Sequence, residues 1–310
     1  MSEKLKVHIA LFIVSAIYGA TFTIAKEVMP LYIKPYAFIL LRVSVASVLI
    51  FFFHQLYIQD KKIDKEDYKK LLICAVFGVA ANMLMFFKGL SLTKPINGAV
   101  LMLNTPIFVI VFAWIWLKEK VNFIQITGIV IAAIGALLLI SGGNFSFESS
   151  TLQGDILVTL NAISYAFYLV YAKELIRKYH PITVTLWSFV IGTFLVLPFA
   201  FNQATEIDWA SFSPKIWAFV AFITIGSTFF TYVLNAYALK HASSSLVGTY
   251  IYLQPVIASI IAIALQRDEL NLTKFLCMLF VFAGVYLASF GKSNKRFDEV
   301  NDVSSFDRKR

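Results

Sequence analysis

Charge is scarce in this chain of 310 residues: Asp, Glu, Lys and Arg make up 15%, against about 25% in an ordinary soluble domain. Cysteine is scarcer, with only Cys74 and Cys277, each inside an apolar run. That excludes a disulfide framework and a four-cysteine zinc site. The four histidines, His8, His54, His180 and His241, stand at the ends of apolar runs or between them, and no Asp or Glu falls in the middle of one. A carboxylate proton relay therefore has no evident carrier, and an intramembrane enzyme has no visible nucleophile with a base, no metal cluster and no cofactor motif. Gly291-Lys292-Ser293 lacks the earlier glycine of a phosphate loop, since Tyr286 stands in that place.

What fills the chain is apolar: 59% of residues are hydrophobic and the mean hydropathy is +0.76. A helix needs about 20 residues to cross a hydrocarbon core of about 30 Å. Ten runs meet that length, at 8–28, 36–56, 71–92, 97–117, 122–142, 155–175, 182–201, 215–239, 245–265 and 273–291. The expected fold class is an all-α integral membrane protein with no separate soluble module. The first run, with a basic start at Lys4 and Lys6, reads as a retained span rather than a cleaved signal.

Lys and Arg set the orientation. With the N-terminus inside, the inner links and ends hold 19 basic residues and the outer links six: Lys26, Lys34, Lys94, Lys215, Arg267 and Lys274. Both termini are expected in the cytoplasm. The net charge of +9 is then an inner-face excess that suits anionic lipid, and nucleic acid is not an expected partner. The tail at 292–310 is charged and expected to be disordered.

The two halves match at a shift of about 147 to 149 residues. Tyr18 meets Tyr165, Ala25-Lys26-Glu27 meets Ala172-Lys173-Glu174, Pro106 meets Pro255, and Gly135 meets Gly284. Residues 1–142 and 155–291 are read as two five-helix repeats joined by an outer linker at 143–154. Five is odd, so the second copy enters the membrane from the opposite side, giving an inverted repeat and, by default, alternating access around a central cavity.

Pro106 and Pro255 sit near mid-membrane in the fourth and ninth spans, where proline removes a backbone hydrogen bond and kinks the helix. Matched interruptions are a pointer to a transport site, with simple packing kinks as the alternative. Asn104 and Gln254 stand just before them. Asn161, Tyr165 and Tyr168 share one face of the sixth span, with Tyr18 and Thr21 on the corresponding face of the first; Thr228, Thr231 and Asn235 stripe the eighth, and Asn82 of the third aligns with Thr231. With Phe86 and Tyr250 these faces suit a solute with an apolar body and a polar head, or else they hold helices together.

Two cations lie within spans. Arg42 is roughly 10 Å below the outer edge and Lys88 about 6 Å from it. Either attracts a substrate carboxylate or phosphate, or Lys88 snorkels to the interface and Arg42 pairs with Glu27 or caps carbonyls. Gly128, Ala132 and Ala136 on the fifth span, and Gly284 with Ala288 on the tenth, make ridges for close helix packing, within a monomer or at a homodimer face.

The five-plus-five layout, the Tyr-Gly-Ala-Thr-Phe stretch at 18–22, Arg42, and the proline-bearing spans that end in Leu117-Lys118-Glu119-Lys120 and Gln266-Arg267-Asp268-Glu269 resemble the EamA type of the drug/metabolite transporter superfamily. The resemblance covers residues 8 to 291 and departs from the usual pattern at Tyr18, where Trp is common, and at Lys88. It implies a ten-helix basket whose cavity is lined by the first, third, fourth, sixth, eighth and ninth spans, and the export of amino acids or related metabolites. The expected activity is a secondary transporter of the inner membrane for a small solute, working by facilitated diffusion or exchange. A nucleotide-sugar or organophosphate exchanger and a passive channel are the alternatives.

Overall fold

A computed structural model describes residues 2–58, 62–93, 95–141, 151–264, 266 and 269–289. Most of the 143–154 linker, the tail from 292, and Lys94, Arg267 and Asp268 fall outside the described residues. Ten helices are long and apolar enough to cross a membrane, running from Glu3–Thr21 to Leu272–Ser289. Each coincides with one of the ten runs. Large side chains such as Phe52, Trp114, Phe194 and Tyr286 point away from the bundle, a surface that fits lipid and would be a liability in water. Trp209, in the link between the seventh and eighth spans, stacks on Trp217 in the first turn of the eighth with centroids 5.7 Å apart, beside Phe212. That is the habit of aromatic side chains at a membrane interface.

The spans begin where the residues dictate. Pro35, Pro181 and Pro214 occupy first positions of the second, seventh and eighth spans, where a missing N–H costs nothing. Ser213 and Ser243 cap the eighth and ninth.

Packing between the spans comes in repeat-related couples. The first packs on the ninth as the sixth packs on the fourth; the first packs on the eighth as the sixth packs on the third; the second packs on the eighth as the seventh packs on the third. The fifth pairs with the tenth and the second with the seventh. The fifth and tenth lie backbone against backbone. A Cβ on Gly284 would stand 2.4 Å from the Ala132 nitrogen, and one on Gly128 would stand 2.5 Å from the Ala288 nitrogen. The small-residue ridges therefore face each other within one chain.

Four spans are not regular helices, and they are two repeat-related pairs. The fourth is broken into Pro95–Met102 and Thr105–Leu117, and the ninth into Ser244–Thr249, a 3-10 turn at Tyr250–Tyr252, and Leu253–Ala264. Pro106 and Pro255 lie in the first turn after each break, so the proline starts a new helix instead of bending an old one. The third and eighth carry π-helical segments, Val76–Ala80 and Phe222–Phe230. Nothing in the sequence pattern announced these, because a π segment adds a residue without changing composition.

Candidate functional site

At the break in the ninth span the Tyr250 carbonyl accepts the Leu253 N–H within the 3-10 turn, and the first span adds a second donor. Ser15 Oγ donates to the Tyr250 carbonyl at 2.9 Å. In the first repeat the corresponding break is closed from within, Asn104 Nδ2 donating to the Leu101 carbonyl at 3.1 Å. The first span can lie against the ninth because of Gly19, where a Cβ would come within 2.9 Å of the Gln254 carbonyl. His8 Nδ1 pairs with the Tyr250 hydroxyl at 2.6 Å, which fixes that ring at the break.

A small cavity opens beside this junction. Tyr18, Tyr165, Asn235, Tyr250 and Gln254 give it polar walls, together with Ser15 and the apolar Leu11, Val14, Leu169, Val247 and Ile251. Its volume of about 10 Å³ holds roughly one water. The first, sixth, eighth and ninth spans all contribute, and Asn235 Nδ2 lies 3.5 Å from the Tyr165 hydroxyl. At that volume the cavity takes no organic solute in this conformation.

Arg42 is an electrostatic neighbour of Tyr18. It is 7% exposed, and its Nε donates to Thr228 Oγ1 at 2.9 Å and Nη2 to Ser227 Oγ at 3.4 Å. The guanidinium also sits over the Phe87 ring at 5.8 Å, close enough for a cation–π contact. Tyr18 and Tyr232 are its electrostatic neighbours. Both hydroxyl partners belong to the π segment of the eighth span, so the second span grips that irregular turn by a charged side chain. Among the described residues no carboxylate pairs with Arg42. Glu27 pairs with Lys215 instead, at 3.7 Å, which removes the Arg42–Glu27 pairing considered from the sequence.

The remaining candidates divide. Tyr168 and Asn161 turn to the third span: a Cβ on Gly78 would overlap the Tyr168 ring at 2.3 Å, and Asn161 Nδ2 donates to the Asn82 carbonyl at 2.7 Å. Asn161 Oδ1 is buried without a partner. Thr21 and Thr231 bond back to carbonyls of their own helices, and Thr231 also neighbours the Tyr18 hydroxyl. Phe86 packs edge-on to Phe87 at 5.3 Å. Lys88 is exposed and is not among the residues lining this cavity, a placement that fits the snorkelling alternative. Asp155 takes the hydroxyls of Thr93 and Thr151 at the start of the sixth span. His8, Ser15, Ser227 and Thr228 complete the region; only Thr228 carried a sequence signal, through its place in the eighth-span stripe. Among the described residues no group of three or more His, Cys, Asp and Glu could hold a metal ion.

The chain is similar to proteins named as transporters. The model of the EamA-like transporter family matches residues 5–141 and again residues 152–290. An uncharacterized transporter of Archaeoglobus fulgidus is 28% identical over 72% of this chain and 76% of its own. The uncharacterized transporter YyaM of Bacillus subtilis is 25% identical over 93% of this chain and 94% of its own. A crystal structure that covers 91% of this chain and 96% of its own superposes with a TM-score of 0.77 at 14% identity, a likeness of fold. The double family match, the ten spans and the repeat-related packing have one explanation: the chain is a multi-pass membrane protein that belongs to the EamA-like transporter family.

Proposed function

We propose that the chain is a secondary transporter of small organic solutes of the amino-acid kind, moving them outward across the cytoplasmic membrane by alternating access between two inverted halves, with both termini in the cytoplasm. The observation that carries this reading is the meeting of repeat-related parts at one cavity: Tyr18 and Tyr165 from equivalent positions, beside the broken ninth span. Broken helices near mid-membrane expose backbone polar groups that a solute can use. Tyrosines and aliphatic side chains supply an apolar wall with hydroxyl tips. Arg42, buried and without an acidic partner among the described residues, offers a fixed charge for an anionic group once the cavity widens toward it. The outward direction is supported by the family resemblance, and the orientation by the excess of basic residues on one side.

The test is thermal stabilisation of the purified protein across amino acids, organic acids, nucleotide sugars and cationic drugs, since a ligand that binds the folded state raises the melting temperature. Stabilisation by amino acids, followed by their saturable exchange in liposomes, is the expected result. Stabilisation by phosphorylated solutes alone would replace this reading with an organophosphate exchanger, and non-saturating flux would replace it with a channel.

A further inference from the structure

One charged pair lies deep inside the bundle and plays no part in the cavity wall. Lys173 of the sixth span is 0% exposed. Its Nζ donates to Glu119 Oε1 at 3.0 Å and to the Ala242 carbonyl at 2.7 Å. Glu119 follows the end of the fourth span, where Lys118 takes a left-handed conformation with φ 52°. That turn aims the carboxylate back into the protein instead of out into solvent. There Glu119 Oε1 accepts from the Ser244 backbone N–H at 3.2 Å and Oε2 from Ser245 Oγ at 3.1 Å. The pair thus joins the end of the fourth span, the sixth span, and the link between the eighth and ninth, across both repeats.

Its position relative to the cavity is fixed by helix geometry. Leu169, a wall residue, is one turn before Lys173, and Val247, another, is one turn after Ser244. The pair therefore lies roughly 6 Å below the cavity along the sixth span. It sits toward the end of the bundle that carries Lys118, Lys120, Arg177 and Lys178.

We propose that the Lys173–Glu119 pair is a reversible latch that closes this end of the bundle beneath the cavity, and that it parts each time the cavity opens to that side. The inference rests on the alternating-access reading above. An apolar plug here would favour closure strongly, because opening would expose it to water. A buried ion pair is different: its Coulomb gain is offset by the hydration both charges recover when water enters, so the closed and open arrangements lie close in free energy. Removing one partner upsets that balance, since the survivor keeps its charge in a buried site without this counter-charge and regains hydration by opening. Replacing both by apolar side chains restores closure.

The experiment reads accessibility and needs no solute, so it can succeed or fail independently of the transport assay. In a Cys74→Ala/Cys277→Ala background, a reporter Val14→Cys on the cavity wall is labelled with a membrane-impermeant maleimide from either face of oriented vesicles. Labelling is expected to be slow from both faces. Lys173→Met and Glu119→Gln should each raise the rate from the Lys118–Lys120 face by on the order of tenfold or more, leaving the other face unchanged. The double variant Lys173→Met/Glu119→Leu should return it to the slow rate. Ser245→Ala, which removes a single bond to the carboxylate, should give a smaller rise on the same face. Unchanged labelling in the single variants and in Ser245→Ala, or an equal rise on both faces, would show that the pair is a static brace and overturn the latch.

Discussion

Tyr18 and Tyr165, which hold the same place in the two repeats, both line the cavity, and their hydroxyls interact directly. This is where a two-fold relation between halves would put two copies of one side chain. A solute in the cavity meets both hydroxyls.

Removing either hydroxyl should therefore weaken binding by a similar amount. Tyr18→Phe and Tyr165→Phe each give up about 1 kcal/mol of hydrogen bonding, which is roughly a fivefold rise in Kd for the ligand found by thermal stabilisation. The fold should hold, because the ring remains. Titration of the melting shift checks this; an unaltered Kd in both variants would remove the pair from the site.

Arg42 separates two roles that the sequence leaves joined. In Arg42→Gln, Thr228 Oγ1 keeps its bond to the Ile223 carbonyl at 3.0 Å, so the eighth-span turn retains a partner and the protein should still fold. Stabilisation by anionic solutes should vanish while that by cationic drugs, if any, remains. Arg42→Lys keeps the charge without the planar fork and should bind anions more weakly than the wild type. The same ligand panel, run on all three proteins, decides it.

Close backbone packing gives a sharp contrast between two glycines. At Gly284 an added Cβ meets the backbone of Ala132, which cannot rotate aside. At Gly226 the nearest atom is a Phe222 ring carbon at 3.6 Å, an ordinary contact. Gly284→Ala should lower stability by roughly 1–3 kcal/mol, and Gly226→Ala should change it by less than about 1 kcal/mol. Denaturation of the two variants side by side in one detergent tests the difference.

His180 caps the seventh span, its Nδ1 accepting from the Ile182 N–H at 3.3 Å. Burial, and then Lys240 and His54 nearby, hold its pKa below the ordinary histidine value. The folded state therefore binds fewer protons here than the unfolded one. The cap's contribution is complete above the unfolded pKa of about 6.5 and is lost as pH falls through that value toward the lowered one. The melting temperature should drop between pH 7.5 and 5.5 by more in the wild type than in His180→Asn, whose amide caps at every pH. Parallel curves would mean the cap is not what titrates.

The spans, the repeat and the places where helices break were legible because each leaves a local mark: a run of apolar residues, a shared offset, a proline. Tyr18 with Tyr165, and Pro106 with Pro255, are the clearest instances. What stayed hidden depends on contacts far apart in the chain. His8 reads as an end residue until the break at Tyr250–Tyr252 brings a tyrosine to it. Lys173 and Glu119 read as inner-side residues of a span end and a link; only the left-handed turn at Lys118 carries the carboxylate inward to bury the lysine. Lys88 shows the converse, a charge within an apolar run that turns to the surface, since nothing in spacing alone tells which side of a helix the neighbours will cover.

The short π turn at Val76–Ala80 bears on how this chain tolerates gain and loss of residues. In the second span, an unbroken helix from Pro35 to Tyr57, deleting one residue turns every later side chain by about 100° and shortens the rod by about 1.5 Å. The third span carries one residue more than an α-helix needs. Taking one out there lets the turn relax to ordinary helix, and the faces on either side, Leu71 and Cys74 before it and Asn82 and Met83 after it, keep their neighbours. The surplus residue thus works as a spacer, holding two halves of one span in registers that a regular helix of the same sequence could not keep at once.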